Sequence, residues 1–151
     1  MGKMINFRAS NNPYMFQIFK LLVHQTDKNE FYVDGTYVKE NPGVMVDFQN
    51  IDHSYEIFKL LGSYWGGWNC TPTSEEMYSV AKSWEEKYEA EIINFEYDTI
   101  DFRLGRELSD EEIDILFEEI RGLNAEANCR GGFEKLRNII KEKAEFGIWW
   151  D

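Results

Sequence analysis

Positive charge is scarce in this sequence. Lys and Arg number 16 against 28 Asp and Glu, a formal net charge of −12. A phosphate-backbone binder needs a basic face, so the balance argues against nucleic acid as a partner. It argues equally against adsorption to an anionic membrane. Cysteine is nearly as sparse. Cys70 and Cys129 stand far apart, too few for a disulfide framework or a Cys-only zinc site. The two histidines, His24 and His53, fall in no metal spacing such as His-Glu-x-x-His. No metal and no cofactor is therefore expected. There is no GxGxxG and no Gly-Lys-Ser/Thr, so Gly66-Gly67 does not read as a phosphate cradle.

Long apolar runs are missing too, and nothing reads as a membrane span. No apolar stretch follows Met1-Gly2-Lys3-Met4-Ile5-Asn6, which speaks against a signal peptide. Asn6 stands where a myristoylation start wants Ser or Thr. The expected location is a reducing cytoplasm. Low-complexity linkers and repeats are absent, so the expectation is a single α+β domain over 1–151. Within it, 1–62 would supply an N-terminal helix and strands, and 63–151 the more distinctive part. A boundary near 62–66 leaves neither half large enough to stand comfortably alone.

What the chain has is aromatic mass. Hydrophobic residues make up 43% and aromatics 16%, with 5 Trp, 8 Tyr and 11 Phe. That is enough to bury a core, and most of the rings are expected there. Some can line a surface or cleft, since Trp and Tyr are favoured at interfaces.

The periodicities give an element order. Asn12 and Pro13 open a helix striped by Met15, Ile18, Phe19 and Leu22. Asp34-Gly35 between β-rich runs predicts a hairpin, and Val44–Phe48 a third strand. Asp52 is expected to cap a short helix with Tyr55, Phe58 and Leu61 inward and Gly62 as its stop. Residues 63–72 have no helical period and read as a loop or irregular strand holding large rings. Thr73-Ser74-Glu75-Glu76 and Ser109-Asp110-Glu111-Glu112 are capping boxes. The first opens a helix with Met77, Val80, Ala81, Trp84 and Tyr88 on one face, the second one with Ile113, Leu116, Phe117 and Ile120. Between them, 92–104 alternates as a hairpin about Asp98-Thr99, with Ile93, Phe95 and Tyr97 on one side. Phe133, Leu136, Ile139, Ile140 and Ala144 stripe a last helix, and Ile148-Trp149-Trp150 reads as a terminal strand. Hairpins outnumber βαβ units, which predicts a mostly antiparallel sheet with helices packed on it.

No catalytic constellation emerges. Cys70 and Cys129 each precede a predicted helix, mildly favourable for a reactive thiol, yet no local motif supplies a base. The acidic pairs Glu75-Glu76, Glu85-Glu86, Asp110-Glu111-Glu112 and Glu118-Glu119 could do acid–base work. They read more simply as solvated faces and as complements of helix dipoles. Trp65-Gly66-Gly67-Trp68-Asn69 has two readings. One is a structural corner, with glycines at positive φ and rings plugging the core. The other is an aromatic-walled cleft with Asn69 as its polar anchor.

The combination of Gly66-Gly67-Trp68-Asn69, Pro72, a helix carrying Trp84 and Tyr88-Glu89-Ala90, Cys129 and a closing Trp149-Trp150-Asp151 resembles the bacterial domain-of-unknown-function family 4253. The resemblance spans about 66–151. It departs from the family pattern in placing Cys70 directly after Asn69, with Thr71 before Pro72. Glu89 replaces a glycine, Glu107-Leu108 a Pro-Pro, and Cys129-Arg130-Gly131 a Cys-Pro-Asp. The resemblance implies a bacterial, cytoplasmic protein and no particular activity.

Two functions fit these residues. One is a non-enzymatic protein-binding domain of immunity or regulator type, its acidic and aromatic surface meeting a basic protein. The alternative is a small-ligand binder or enzyme with a site near Trp68, Asn69 and Cys70. The binding candidates are Trp68, Asn69, Cys70, Trp84, Trp149 and Asp151.

Overall fold

The structure, a computed structural model, describes residues 3–8, 30–33, 43–48, 51–67, 71–96, 98–127 and 132–150. Its centre is a seven-stranded sheet in the order β2-β3-β1-β4-β5-β7-β6. The strands are β1 (Lys3–Arg8), β2 (Glu30–Val33), β3 (Gly43–Phe48), β4 (Ala90–Phe95), β5 (Thr99–Leu104), β6 (Glu126–Ala127) and β7 (Glu145–Trp149). The helices are α1 (Ile57–Leu61), α2 (Ser74–Tyr88), α3 (Asp110–Gly122) and α4 (Gly132–Lys143). The class is α+β, and the sheet is mixed: β1 lies parallel to β4, while the other described ladders are antiparallel.

That one parallel ladder joins the two parts of the chain. Phe7 pairs with Phe95 across it, and their rings stack at 5.6 Å. β1 was not expected from the sequence, although its pattern is that of a half-buried strand: Ile5 and Phe7 are buried, Asn6 between them is not, and Met4 before them is 47% exposed. The predicted helix opened by Asn12 and Pro13, His24 and the Asp34-Gly35 turn lie outside the described residues. What is described of the N-terminal strands is β2 pairing directly with β3.

One sheet face carries the core. Trp84 of α2 packs edge-on against Phe102 of β5 and Phe146 of β7, at 5.2 and 5.6 Å. α3 adds Ile113, Leu116 and Ile120, and α4 adds Leu136 and Ile140, to the same buried cluster. Both capping boxes are formed. The Thr73 and Ser109 hydroxyls accept the amides of Glu76 and Glu112 at 3.1 Å each.

Four expectations need correction. The strand 90–95 does not alternate simply: its register with β5 shifts between Ile92 and Asn94. The bulge puts Ile92, not Ile93, in the core beside Phe95. Thr99 belongs to β5 and not to the turn of that hairpin. Asp52 does not cap the turn before α1. His53 takes that position, and the Glu56 carboxylate accepts the amides of both Asp52 and His53 at 2.9 and 3.0 Å. Ala144 is not on the α4 stripe. It follows the helix with φ 53°, exposed, its amide on Ile140 O and its carbonyl accepting Leu104 N.

Candidate functional site

The stretch between α1 and α2 is tied at both ends. Gly62 ends α1 with φ 53°, and its carbonyl accepts the buried Ser74 hydroxyl from the first turn of α2. Gly66 bridges to Thr73, and Gly67 N donates to Pro72 O at 3.2 Å. Gly66 and Gly67 have φ of 82° and 78°. A Cβ on Gly66 would stand 2.3 Å from Pro72 O, so this close approach admits only glycine. The chain therefore leaves at Gly67 and returns at a buried Thr71 with its two stems locked together.

Beneath these stems lies an aromatic floor. Trp65, 1% exposed, meets Trp150 edge-on at 5.6 Å and Phe58 at 5.1 Å, with Phe95 behind at 6.0 Å. Trp150 is tied further by its indole N–H to Leu123 O at 3.0 Å and by its amide to Asp98 O at 3.0 Å. The two ends of the tryptophan-rich segment thus touch. The residues in contact are Trp65 and Trp150, neither of them among the six binding candidates.

Of the six binding candidates, Trp68, Asn69, Cys70 and Asp151 lie outside the described residues, as does Cys129. What is described is their attachment: 68–70 between pinned stems, and 151 directly after Trp150. Trp84 is fully buried, and its indole N–H has no hydrogen-bond partner among the described residues. Trp149 is half-buried at the end of β7.

A second polar cluster was missed in the sequence because its members come from distant segments. His53 Nδ1 lies 2.5 Å from Glu85 Oε1, bridging the turn before α1 to α2. The His53 ring stacks on Tyr55 at 5.0 Å, and Tyr55 meets Tyr78 edge-on at 5.1 Å. Burial, and then the neighbouring Tyr78 and Glu85, push the Tyr55 hydroxyl pKa up. The second Glu85 oxygen is buried without a described partner. A carboxylate on Nδ1 favours the Nδ1–H tautomer, in which Nε2 is the hydrogen-bond acceptor. Next to this pair opens a cleft of about 370 Å³ lined by Glu85, Glu89, Glu91, Arg103 and Gly105. Glu91 is paired with Lys3 at 2.9 Å.

A larger cleft of about 580 Å³ runs between 104–108 and the last turn of α4. Of its cations Arg106, Lys141 and Lys143, Arg106 is already engaged. It makes two bonds to Glu112, at 3.1 and 2.5 Å, and another to Lys87 O. That fork, with help from the Ser109 cap, holds the Glu112 carboxyl down at about 2. Among the described residues, no group of three or more His, Cys, Asp or Glu is placed to hold a metal ion. No helix there is long and apolar enough to cross a membrane.

A family model described as Domain of unknown function (DUF4253) matches residues 48–151. No curated protein and no solved structure matches the chain.

Proposed function

The chain belongs to this family of unknown function, and on that premise we propose that it is a bacterial, cytoplasmic, non-enzymatic protein-binding domain of immunity or regulator type. Its partner is a basic protein. The observation that carries this reading is how the tryptophans and the carboxylates are divided. Trp65, Trp84 and Trp150 are at most 3% exposed and build the core. The outward surface is left to a chain with 12 more acidic than basic residues. A surface of that sign speeds and selects encounters with cationic partners and repels nucleic acid.

The test is affinity purification of the tagged protein from its host at low and high salt, followed by reconstitution with the purified partner. A basic protein should co-elute in fixed stoichiometry and be released as salt screens the charges. Recovery of the same background proteins at every salt concentration would count decisively against the reading.

A second reading rests on the pinned stems. The stems are tied by Gly67 and Pro72, and Trp65 next to them meets Trp150; this reading assigns Trp68, Asn69 and Cys70, with Asp151, to a small ligand. A metabolite that raises the melting temperature of the wild type but not of Asn69→Ala would favour it.

A further inference from the structure

The solvent side of α3 is built unlike the other helix surfaces. Its inward side carries Ile113, Leu116 and Ile120, all buried. At 100° per residue, Glu111, Ile115, Glu118 and Gly122 fall within about 60° of one another on the opposite side. Their spacing of four, three and four residues makes a straight ridge along the helix. Ile115 stands at its middle, 55% exposed, and the only other large exposed hydrophobic among the described residues is Met4 on the sheet. A shallow depression of about 450 Å³ surrounds it, lined by Asp114, Ile115, Glu118 and Glu119.

The charges around Ile115 fall into two groups. The flanking carboxylates are already used inside the molecule. Asp114 takes a two-bond fork from Arg137 of α4, at 3.0 and 2.5 Å. Glu119 accepts Tyr88 Oη and Lys87 Nζ of α2, at 3.0 and 3.2 Å. On the ridge itself, Glu111 has no ion pair among the described residues. Glu118 has only an exposed contact with Arg121 at 3.5 Å, an arrangement worth little in water. Gly122 ends the ridge without a side chain, and a Cβ there would meet nothing within 4 Å.

We propose that this ridge of α3 docks a basic amphipathic helix, with an apolar side chain of the partner on Ile115 and Lys or Arg residues beside Glu111 and Glu118. The inference rests on the protein-binding reading above and names its surface. Charge complementarity selects the occupant. A second copy of this chain would set Glu111 and Glu118 against themselves, whereas a cationic helix neutralises both. The ridge spacing is that of a helix–helix seam, and Gly122 lets the partner backbone approach closely.

The probe is a synthetic helical peptide with a leucine seam flanked by lysines, titrated into the ¹⁵N-labelled protein. The expected result is amide shifts centred on Glu111, Ile115, Glu118 and Gly122. Ile115→Lys and Glu118→Lys should each weaken binding by roughly tenfold or more. Both positions face solvent, so both variants should keep the wild-type circular dichroism and melting temperature. A matched peptide with glutamates for lysines should not bind. Shifts spread evenly over all acidic surfaces, or affinity untouched by Ile115→Lys, would overturn the proposal. So would an oligomer in sedimentation that Ile115→Lys dissolves while the peptide leaves the ridge unshifted. If a basic partner from the host binds Ile115→Lys as tightly as wild type, this surface is wrong and the protein-binding reading stands. If neither a basic partner nor the lysine peptide binds, both fail.

Discussion

Trp149 and Trp150 are neighbours in sequence but should behave as opposites under mutation. Trp150 is buried, its ring edge-on to Trp65 at 5.6 Å, and its indole N–H donates to Leu123 O at 3.0 Å. Trp150→Phe keeps an aromatic body but removes that donor and the outer part of the ring. Losing the hydrogen bond costs about 1 kcal/mol, because Leu123 is only partly buried and water can replace the donor. The unfilled space adds about 1–2 kcal/mol. Together these give about 2–3 kcal/mol, or roughly 4–12 °C in melting temperature for a chain of this size. Trp149 points the other way along β7 and is half-buried. Trp149→Phe should cost less than about 1 kcal/mol. Thermal unfolding of both variants, followed by calorimetry, makes the comparison. If Trp149→Phe is as damaging as Trp150→Phe, or if Trp150→Phe costs under about 0.5 kcal/mol, the division into a closing ring and an outward ring is wrong.

Gly66→Ala should destabilise by more than about 2 kcal/mol in chemical denaturation, adding a backbone clash at Pro72 O to the strain of a positive φ. Gly67→Ala has the strain but open space, and should cost about 1 kcal/mol; equal costs would mean that the 66–73 bridge yields easily. Glu112 supplies a pH dependence. Its folded pKa is depressed to about 2, mainly by the Arg106 fork, so the stabilisation is present above the ordinary carboxylate range of about 4. It is lost as pH falls through about 2, since the unfolded state then binds the proton first. Melting curves of the wild type should drop more steeply across that window than those of Glu112→Gln, and parallel curves would remove Glu112 from the acid response.

The parts of the fold that were legible in sequence are those specified by local chemistry. Thr73 and Ser109, each followed three residues later by Glu, could only be capping boxes, and the inward residues of α2 and α3 followed from a 3.6-residue period. Gly62 stopped α1 for the same local reason. Features that depend on distant partners were not legible. β1 carries its apolar residues at 4, 5 and 7, a broken alternation made credible only by Phe48 on one side and Phe95 on the other. The bulge at Ile92–Asn94 is tied to Ser54, whose hydroxyl accepts Ile92 N at 2.9 Å from 38 residues away. The His53–Glu85 pair spans 32 residues, and no spacing rule covers such a pair. Ala144 and Glu89 both adopt φ 53° without being glycine. A pattern that assigns such positions by residue type runs the helix straight through Ala144.

The charge of the chain shows how placement sharpens what composition leaves coarse. A net −12 says only that cations will be attracted somewhere. On α3 the structure separates carboxylates with internal partners from those without. Asp110 pairs with Lys141, Glu112 with Arg106, Asp114 with Arg137 and Glu119 with Lys87. Each of those cations comes from another segment, so these acids hold the helix in place. Their charge is largely neutralised before any partner arrives. Glu111 and Glu118 have no such role, and Ile115 lies between them, where burial would gain about 1.5–3 kcal/mol if something covered it. An exposed isoleucine alone is ordinary on a protein surface. Between Glu111, which has no ion pair among the described residues, and Glu118, whose one contact is the exposed Arg121 of the same helix, and opposite the buried face of that helix, it marks where the excess negative charge can act on a partner.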